Sequence, residues 1–291
     1  MAISRAQLAK ELEPGLNALF GLEYGRYENE HSEIFEEESS DRAFEEEVML
    51  GGFATAPVKS EGGAVSFDDA QETYTARYSH ETIALAFSIT EEAIEDNLYD
   101  RLASRYTKAL ARSMATTKQI KAASILNNAF STGANAIGDG AALCSSAHPS
   151  LSGNQRNLLS TAADLNETSL EQMLIDIAGF TDERGLKIAV RGTKLIIPKE
   201  LQFIAERVMN SNLRSGTADN DNNAMKNMGM LPEGAVVNHF LTDTDAFFIK
   251  TDASNGFKYF NRAAIKTAME GDFDTGNMRF KARERYSFGV S

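Results

Sequence analysis

The 291-residue chain is 42% hydrophobic and 24% charged, ordinary values for a globular protein large enough for one big domain or two coupled ones. No apolar run approaches the ~20 residues that span a bilayer, Met1 to Arg5 lacks the apolar stretch of a signal peptide, and the lone Cys144 excludes an intramolecular disulfide. These features predict a cytoplasmic product, and a net charge of −13 argues against tight, phosphate-driven DNA binding.

The first segment, with Leu8, Leu12, Leu16, Leu19 and Phe20, has an amphipathic pattern that Pro14 and Gly15 interrupt. It predicts a short helix followed by an extended arm. Residues 28–47 hold ten acidic side chains against Arg42 alone. This run, with Glu36, Glu37, Glu38 and Asp41 at its centre, reads either as a solvated, flexible stretch or as an arm that docks on a basic surface of a neighbouring copy. Val48–Phe53 and Val65–Ile89 read as the two limbs of a hairpin, with a turn-rich, polar tip at Pro57–Gly63 that includes Lys59. In the return limb Tyr74, Ala76 and Tyr78 share one face, whereas Ile83, Leu85, Phe87 and Ile89 have the opposite parity. A bulge or bend is therefore expected near His80–Thr82.

Thr90 can cap a helix, with Glu91 and Glu92 in its first turn. Ile94, Leu98, Leu102, Tyr106, Leu110 and Met114 then recur at every fourth position, and no proline or glycine occurs before Gly133. The pattern predicts one helix of roughly 60 Å, with Leu98, Leu102, Tyr106 and Leu110 buried against flanking sheet. A Gly-, Ser- and Asn-rich connection at 132–157 divides the chain. Ser169-Leu-Glu-Gln172 is a capping-box pattern that opens a helix to about Thr181. Ala189–Ile197 reads as a strand, Lys199–Met209 as a helix, and the polar 210–230 as a mobile loop. Ala246–Lys250 and Phe257–Phe260 flank Asn255-Gly256, a strong hairpin signal. In the closing strand Met278, Phe280, Ala282, Tyr286, Phe288 and Val290 face one way, and Arg279, Lys281, Arg283 and Arg285 the other.

Chemistry is sparse. His31, His80, His148 and His239 have no metal-ligand spacing. Cys144 and His148 stand four apart in a Gly/Ser-rich loop, with no helix to fix a nucleophile against its base. Gly133–Gly140 lacks the Gly-Lys-Ser/Thr ending of a phosphate loop. The carboxylates of 28–47 are too crowded to be held apart for acid–base work. Asn166-Glu-Thr168 is a glycosylation sequon without meaning in a cytoplasm. The expectation is a non-enzyme with no catalytic residue, no cofactor and no metal. Electrostatic complementarity instead nominates contacts between copies. Glu36, Glu37, Glu38 and Asp41 of one would meet Arg279, Arg283 and Arg285 of another, with Lys59 on the hairpin tip crossing a neighbour.

The order of these parts resembles the tailed-bacteriophage major capsid proteins of the Hong Kong ninety-seven type. Lys194-Leu-Ile-Ile-Pro198 with the helix after it is similar to the family's axial-domain strand and helix. Asp245-Ala-Phe-Phe-Ile-Lys-Thr-Asp252, Gly256-Phe-Lys-Tyr-Phe260 and Arg283-Glu-Arg-Tyr-Ser-Phe-Gly289 resemble Mu-like major head subunits. The resemblance implies an α+β fold with an N-terminal arm (1–43), an extended hairpin loop (44–89), a spine helix of the peripheral domain (90–132), an axial domain (133–240) and the C-terminal sheet of the peripheral domain (241–291). It further implies a virion protein, assembled in the host bacterial cytoplasm, that forms hexamers and pentamers of an icosahedral shell around double-stranded DNA bound without sequence specificity. Portal, scaffolding and decoration proteins are the implied partners, and no membrane is involved. Relatives usually continue past the last strand, which implies a truncated C-terminus, and no long segment precedes the arm, which implies a separate scaffold. An encapsulin-like nanocompartment shell is the alternative, against which the phage-type C-terminal motifs argue; a hydrolase built on Cys144 and His148 is a more distant one.

Overall fold

The structure is a computed structural model that describes residues 5–90, 92–93, 99–133, 137–214, 221–272 and 274–290, with the backbone alone for 5–12 and 99–102. The chain packs as two units. The first comprises 1–44, 79–122 and 259–288, the second 45–78, 123–258 and 289–291.

The first unit contains helix α1 (Arg5–Tyr24), most of helix α2 (Tyr99–Asn127) and a four-stranded sheet. Its strands are β1 (Glu36–Ser39), β4 (Glu81–Ile89), β8 (Phe257–Gly271) and β9 (Met278–Val290), in the order β1-β8-β9-β4. Pro14 does not end α1, contrary to the sequence expectation; it lies inside the helix. Leu16 and Phe20, both buried, pack with Phe280 and Ala282 of β9 and Leu110 and Met114 of α2. Burial of such side chains stabilises by ~1.5–3 kcal/mol each, enough to offset the hydrogen bond that a proline forfeits. The acidic run is likewise ordered, as a 3-10 turn (Glu30–Glu33), β1 and the start of β2 (Phe44–Gly51).

The described part of helix α2, Tyr99–Asn127, has 29 residues, about 43 Å at 1.5 Å per residue, and it ends at Asn127, a few residues before Gly133, the limit expected from the sequence. Thr90 Oγ1 accepts from the Ala93 amide at 3.4 Å, as a cap does. Ile94, Leu98 and the Leu102 side chain lie outside the described residues. Leu110 and Met114 are buried as expected, but Tyr106 is 48% exposed, its ring 5.7 Å from that of Phe87. The buried face runs instead through Ala103, Thr107, Leu110, Ala111 and Met114. Small residues on that face let the helix approach the sheet closely, and a search for large apolar residues misses them.

Strand β9 pairs antiparallel with β4, Phe280 opposite Phe87 and Ala282 opposite Leu85. Its alternation places Glu284, 2% exposed, among the inward-facing residues. There Glu284 Oε2 accepts from Lys118 Nζ at 2.7 Å and from the Tyr24 hydroxyl at 3.1 Å. The Lys118 ammonium also lies 5.3, 5.7 and 5.1 Å from the ring centres of Tyr24, Tyr259 and Tyr286, a cation–π cage. Burial, followed by the Glu284 charge, holds all three phenols far above their ordinary range.

The second unit holds the two-stranded ribbon of β2 and β3 (Gln71–Ser79) and a three-stranded sheet ordered β6-β5-β7. β5 (Gly192–Ile197) runs parallel to β6 (Ala235–Val237) and antiparallel to β7 (Phe248–Thr251). Around it pack α3 (Glu167–Ala178), α4 (Gln202–Asn210) and α5 (Ala224–Met228). Leu170, Leu174, Leu195, Ile197, Ala205 and Met225 are among the core. The cap of α3 is Asn166, three residues before Ser169: the Asn166 side chain accepts from the Ser169 amide at 2.9 Å and Ser169 Oγ accepts from the Asn166 amide at 3.0 Å. Of the 210–230 stretch the described residues, 210–214 and 221–230, are more ordered than expected: Asn223, 2% exposed, donates to Val208 O at 2.7 Å and caps α5. Asn255 does adopt a left-handed turn, φ 61°, but no hairpin ladder follows: β7 joins β5 whereas β8 joins β1 and β9. The C-terminal 241–291 is therefore divided between the two units. The hairpin's return limb likewise breaks at His80, where β3 ends and β4 enters the other sheet.

Candidate assembly surfaces

Between β2 and β3 the chain runs from 52 to 70 with a turn near Glu61 and Gly62 and no ladder of its own. Hydrophobic side chains that would be buried in a free-standing domain stand in solvent here: Val58 and Phe67 are 98% and 97% exposed, and Phe53 and Val65 are also bare. Val48, Met49 and Leu50 of β2 extend the apolar surface. Large apolar side chains left this bare are a feature that interaction surfaces share. Lys59 is exposed within the loop. The base of the ribbon is polar and paired, with Arg77 bridging to Glu46 at 2.6 Å and the Tyr78 hydroxyl donating to Glu47 at 3.0 Å. Glu47 also meets Lys258. These two carboxylates thus have partners within the chain.

The other charged residues singled out by sequence lie on the sheet of the first unit. Glu36, Glu37 and Glu38 are exposed on β1, an edge strand, and Asp41 is exposed just after it. Glu37 accepts from Asn261 Nδ2 at 3.3 Å. Arg279 and Arg283 are exposed on β9, which lies inside the sheet. Arg279 already pairs with Asp272 at 2.6 Å, and Arg285 is half-buried, with its Nε unbonded. In the register with β4, Arg279, Arg283 and Arg285 lie opposite Ser88, Ala84 and Thr82. No acidic residue neutralises them across that ladder.

Cys144 and His148 do not form a catalytic pair. His148 Nδ1 is bonded to Asp139 Oδ2 at 2.7 Å, and burial alone pushes the Cys144 thiol up to about 11. A protonated thiol is no nucleophile. Cys144 instead lines an apolar cavity of about 550 Å³ with Leu126, Phe130, Met173, Phe180 and Phe248. Gly138, from the stretch compared with a phosphate loop, is a packing glycine: a Cβ there would lie 2.6 Å from Thr75 O. Among the described residues no three His, Cys, Asp or Glu side chains are grouped to hold a metal ion, and no helix is long and apolar enough to cross a membrane.

The family model for phage capsid protein matches residues 73–290. Among solved structures, a chain of the bacteriophage JBD30 capsid matches with a TM-score of 0.56 at 12% identity, over 74% of this chain and 92% of that one. The capsid of an empty GTA particle gives 0.54 at 13%, over 91% and 87%. A virus-like particle from Pyrococcus furiosus gives 0.52 at 10%, over 94% and 93%. At these identities the likeness is one of fold. No curated protein matches the chain by sequence.

Proposed function

The chain belongs to the phage capsid protein family, and from that membership we propose that it is the repeating subunit of an icosahedral head, assembling with itself into hexamers and pentamers around double-stranded DNA. As a member it is a structural protein of the virion with the α+β capsid fold. The shell forms in the host cytoplasm, without catalysis by this chain, with portal, scaffolding and decoration proteins as partners. Residues 1–43 act as an arm, the hairpin as the extended loop, α2 as the spine, and the β5-centred region as the axial domain.

The observation that carries the mechanism is the bare apolar loop at 52–70. Val58 and Phe67 gain nothing in a lone subunit; laid across a neighbour, each removes surface worth ~1.5–3 kcal/mol from water. Repeated around a closed shell, such contacts favour assembly steeply. Deleting Thr55–Ala64 is expected to leave a soluble, folded subunit that fails to close, read by electron microscopy and sedimentation. Normal shells from that deletion would refute the mechanism. Particles filled with a protein cargo in place of nucleic acid would point to a nanocompartment.

The charged residues supply a second, weaker contact. Glu36, Glu37, Glu38 and Asp41 of one copy face Arg279, Arg283 and Arg285 of another, each exposed pair contributing ~0–1 kcal/mol. Reversing Glu36–Glu38 to lysine is expected to block assembly, and reversing Arg283 and Arg285 to glutamate as well is expected to restore part of it. No rescue by the double reversal would separate the two surfaces.

A further inference from the structure

The loop 52–70 has no ladder of its own, so something else must decide where it points. At the place where the β2–β3 ladder gives out, one side chain reaches both limbs. Arg184 Nε donates to Gly52 O at 3.2 Å, one residue past the end of β2, and its Nη2 donates to Asp69 O at 2.9 Å, two residues before β3 begins. Next to it Glu183, 5% exposed, accepts at Oε1 from the Thr73 hydroxyl at 2.9 Å. The same hydroxyl lies 3.1 Å from Met49 O. A Cβ on Gly51 would stand 2.9 Å from Glu183 Oε2 and 3.1 Å from Gln71 O, so a larger residue there would press the carboxylate aside. Tyr74 donates to Pro149 O at 2.6 Å, its phenol raised to about 12 by burial and then by Glu183.

The segment that presents these groups is itself locked. Asp182 Oδ1 accepts from the Arg184 amide at 2.9 Å and the Leu186 amide at 2.7 Å, and Gly185 holds a φ of 84° that a side chain would strain. The Ser152 amide donates to Glu183 O at 2.9 Å, and Gln155 Nε2 to Asp182 O at 2.9 Å. A rigid turn thus offers a planar guanidinium, whose fixed fork of donors suits two carbonyls at once.

We propose that the 182–186 turn is a clamp setting the direction in which the 52–70 loop leaves the subunit, with Arg184 its positioning residue. The proposal rests on the reading that this loop crosses a neighbour. Loss of Arg184 removes the tie from both limbs to the turn, leaving the Ala54 amide on Asp68 Oδ2 at 2.7 Å to join the limbs to each other and the ribbon and the core behind it intact. Lysine, with one compact ammonium, holds one limb at a time.

The test is hydrogen exchange on the full-length, unassembled chain, followed by assembly. In Arg184→Ala, amides of 49–53 and 69–73 are expected to exchange about tenfold faster, the effect of losing two partly exposed hydrogen bonds. Those of 167–178 and 202–210 are expected to be unchanged. Arg184→Lys should fall between, and the yield of closed particles should decline in the same order. Unchanged exchange at the ribbon's end overturns the clamp. If Arg184→Ala loosens the whole unit, Arg184→Lys decides: faster exchange confined to the ribbon's end supports the clamp, and uniform acceleration overturns it. Fast exchange with normal shells overturns the direction-setting role. Normal shells after deletion of Thr55–Ala64 would instead remove the neighbour-crossing reading and leave the exchange signature standing.

Discussion

Replacing Lys118 with methionine tests the buried charge at the centre of the first unit. Methionine keeps most of the side-chain volume, so the change removes the ammonium and little else. Glu284, 2% exposed and 2.7 Å from that ammonium, is then left with the Tyr24 hydroxyl as the donor seen in the structure. Stranding one partner of a buried pair costs about 3–5 kcal/mol, and loss of the cation–π contacts adds ~0.5–2 kcal/mol. Adding Glu284→Gln, which removes the stranded charge, should recover most of the loss. The chain has no tryptophan and eight tyrosines, three of them in this cage, so urea unfolding followed by tyrosine emission reports on the unit directly. A loss below about 1 kcal/mol, or no recovery in the double variant, would refute the reasoning.

Leu110→Ala should destabilise by about 2–5 kcal/mol, as a fully packed leucine does, whereas Tyr106→Ala, half exposed, should cost under about 1.5 kcal/mol; equal losses in denaturant titrations would mean the buried face is misassigned. His31, held below its ordinary value chiefly by burial, packs edge-on to Tyr259 and Phe288. A lowered folded-state value means that the unfolded chain binds the extra proton, so stability should fall as pH drops below about 6.5. His31→Phe should flatten that part of the unfolding profile. The Cys144 thiol, pushed up to about 11, should react with a thiol reagent at pH 8 far more slowly in the folded chain than in denaturant. Comparable rates would mean the thiol is open to solvent.

Much of the architecture could be read from the amino-acid order because period and parity are local properties. The parity change at His80 marked the break between β3 and β4, and the alternation of β9 marked its buried face. What failed were places where tertiary packing overrode a local signal. Pro14 reads as a helix end, yet Leu16 and Phe20 hold α1 together from the far side. Asn255-Gly256 makes its turn, but a turn cannot say which sheets its flanking strands will join. Glu284 was legible from parity, since it lies between Ala282 and Tyr286 on the inward face, but a charged residue is usually assumed to point outward. Tyr106 looked buried by spacing and is not, because Ala103, Thr107 and Ala111 take that role. The hairpin's clamp left no signal: Glu183 and Arg184 form an unremarkable polar pair, and only the fold brings them to Gly51 and Gly52.

The β2–β3 ribbon is a two-stranded sheet among the described residues, so each of its strands is an edge strand. One of those strands carries Val48, Met49 and Leu50, mostly bare, directly after Glu45, Glu46 and Glu47. Glu46 and Glu47 are held in ion pairs with Arg77 and Lys258, so what borders the apolar stretch is a row of fixed, partnered polar groups and not a bare field of one sign. Such groups act as gatekeepers against edge-to-edge stacking of free ribbons. High salt, by screening the pairs that hold them in place, would favour disordered aggregates over ordered growth, and the same few residues would set how concentrated the free subunit can become before it is lost to precipitation.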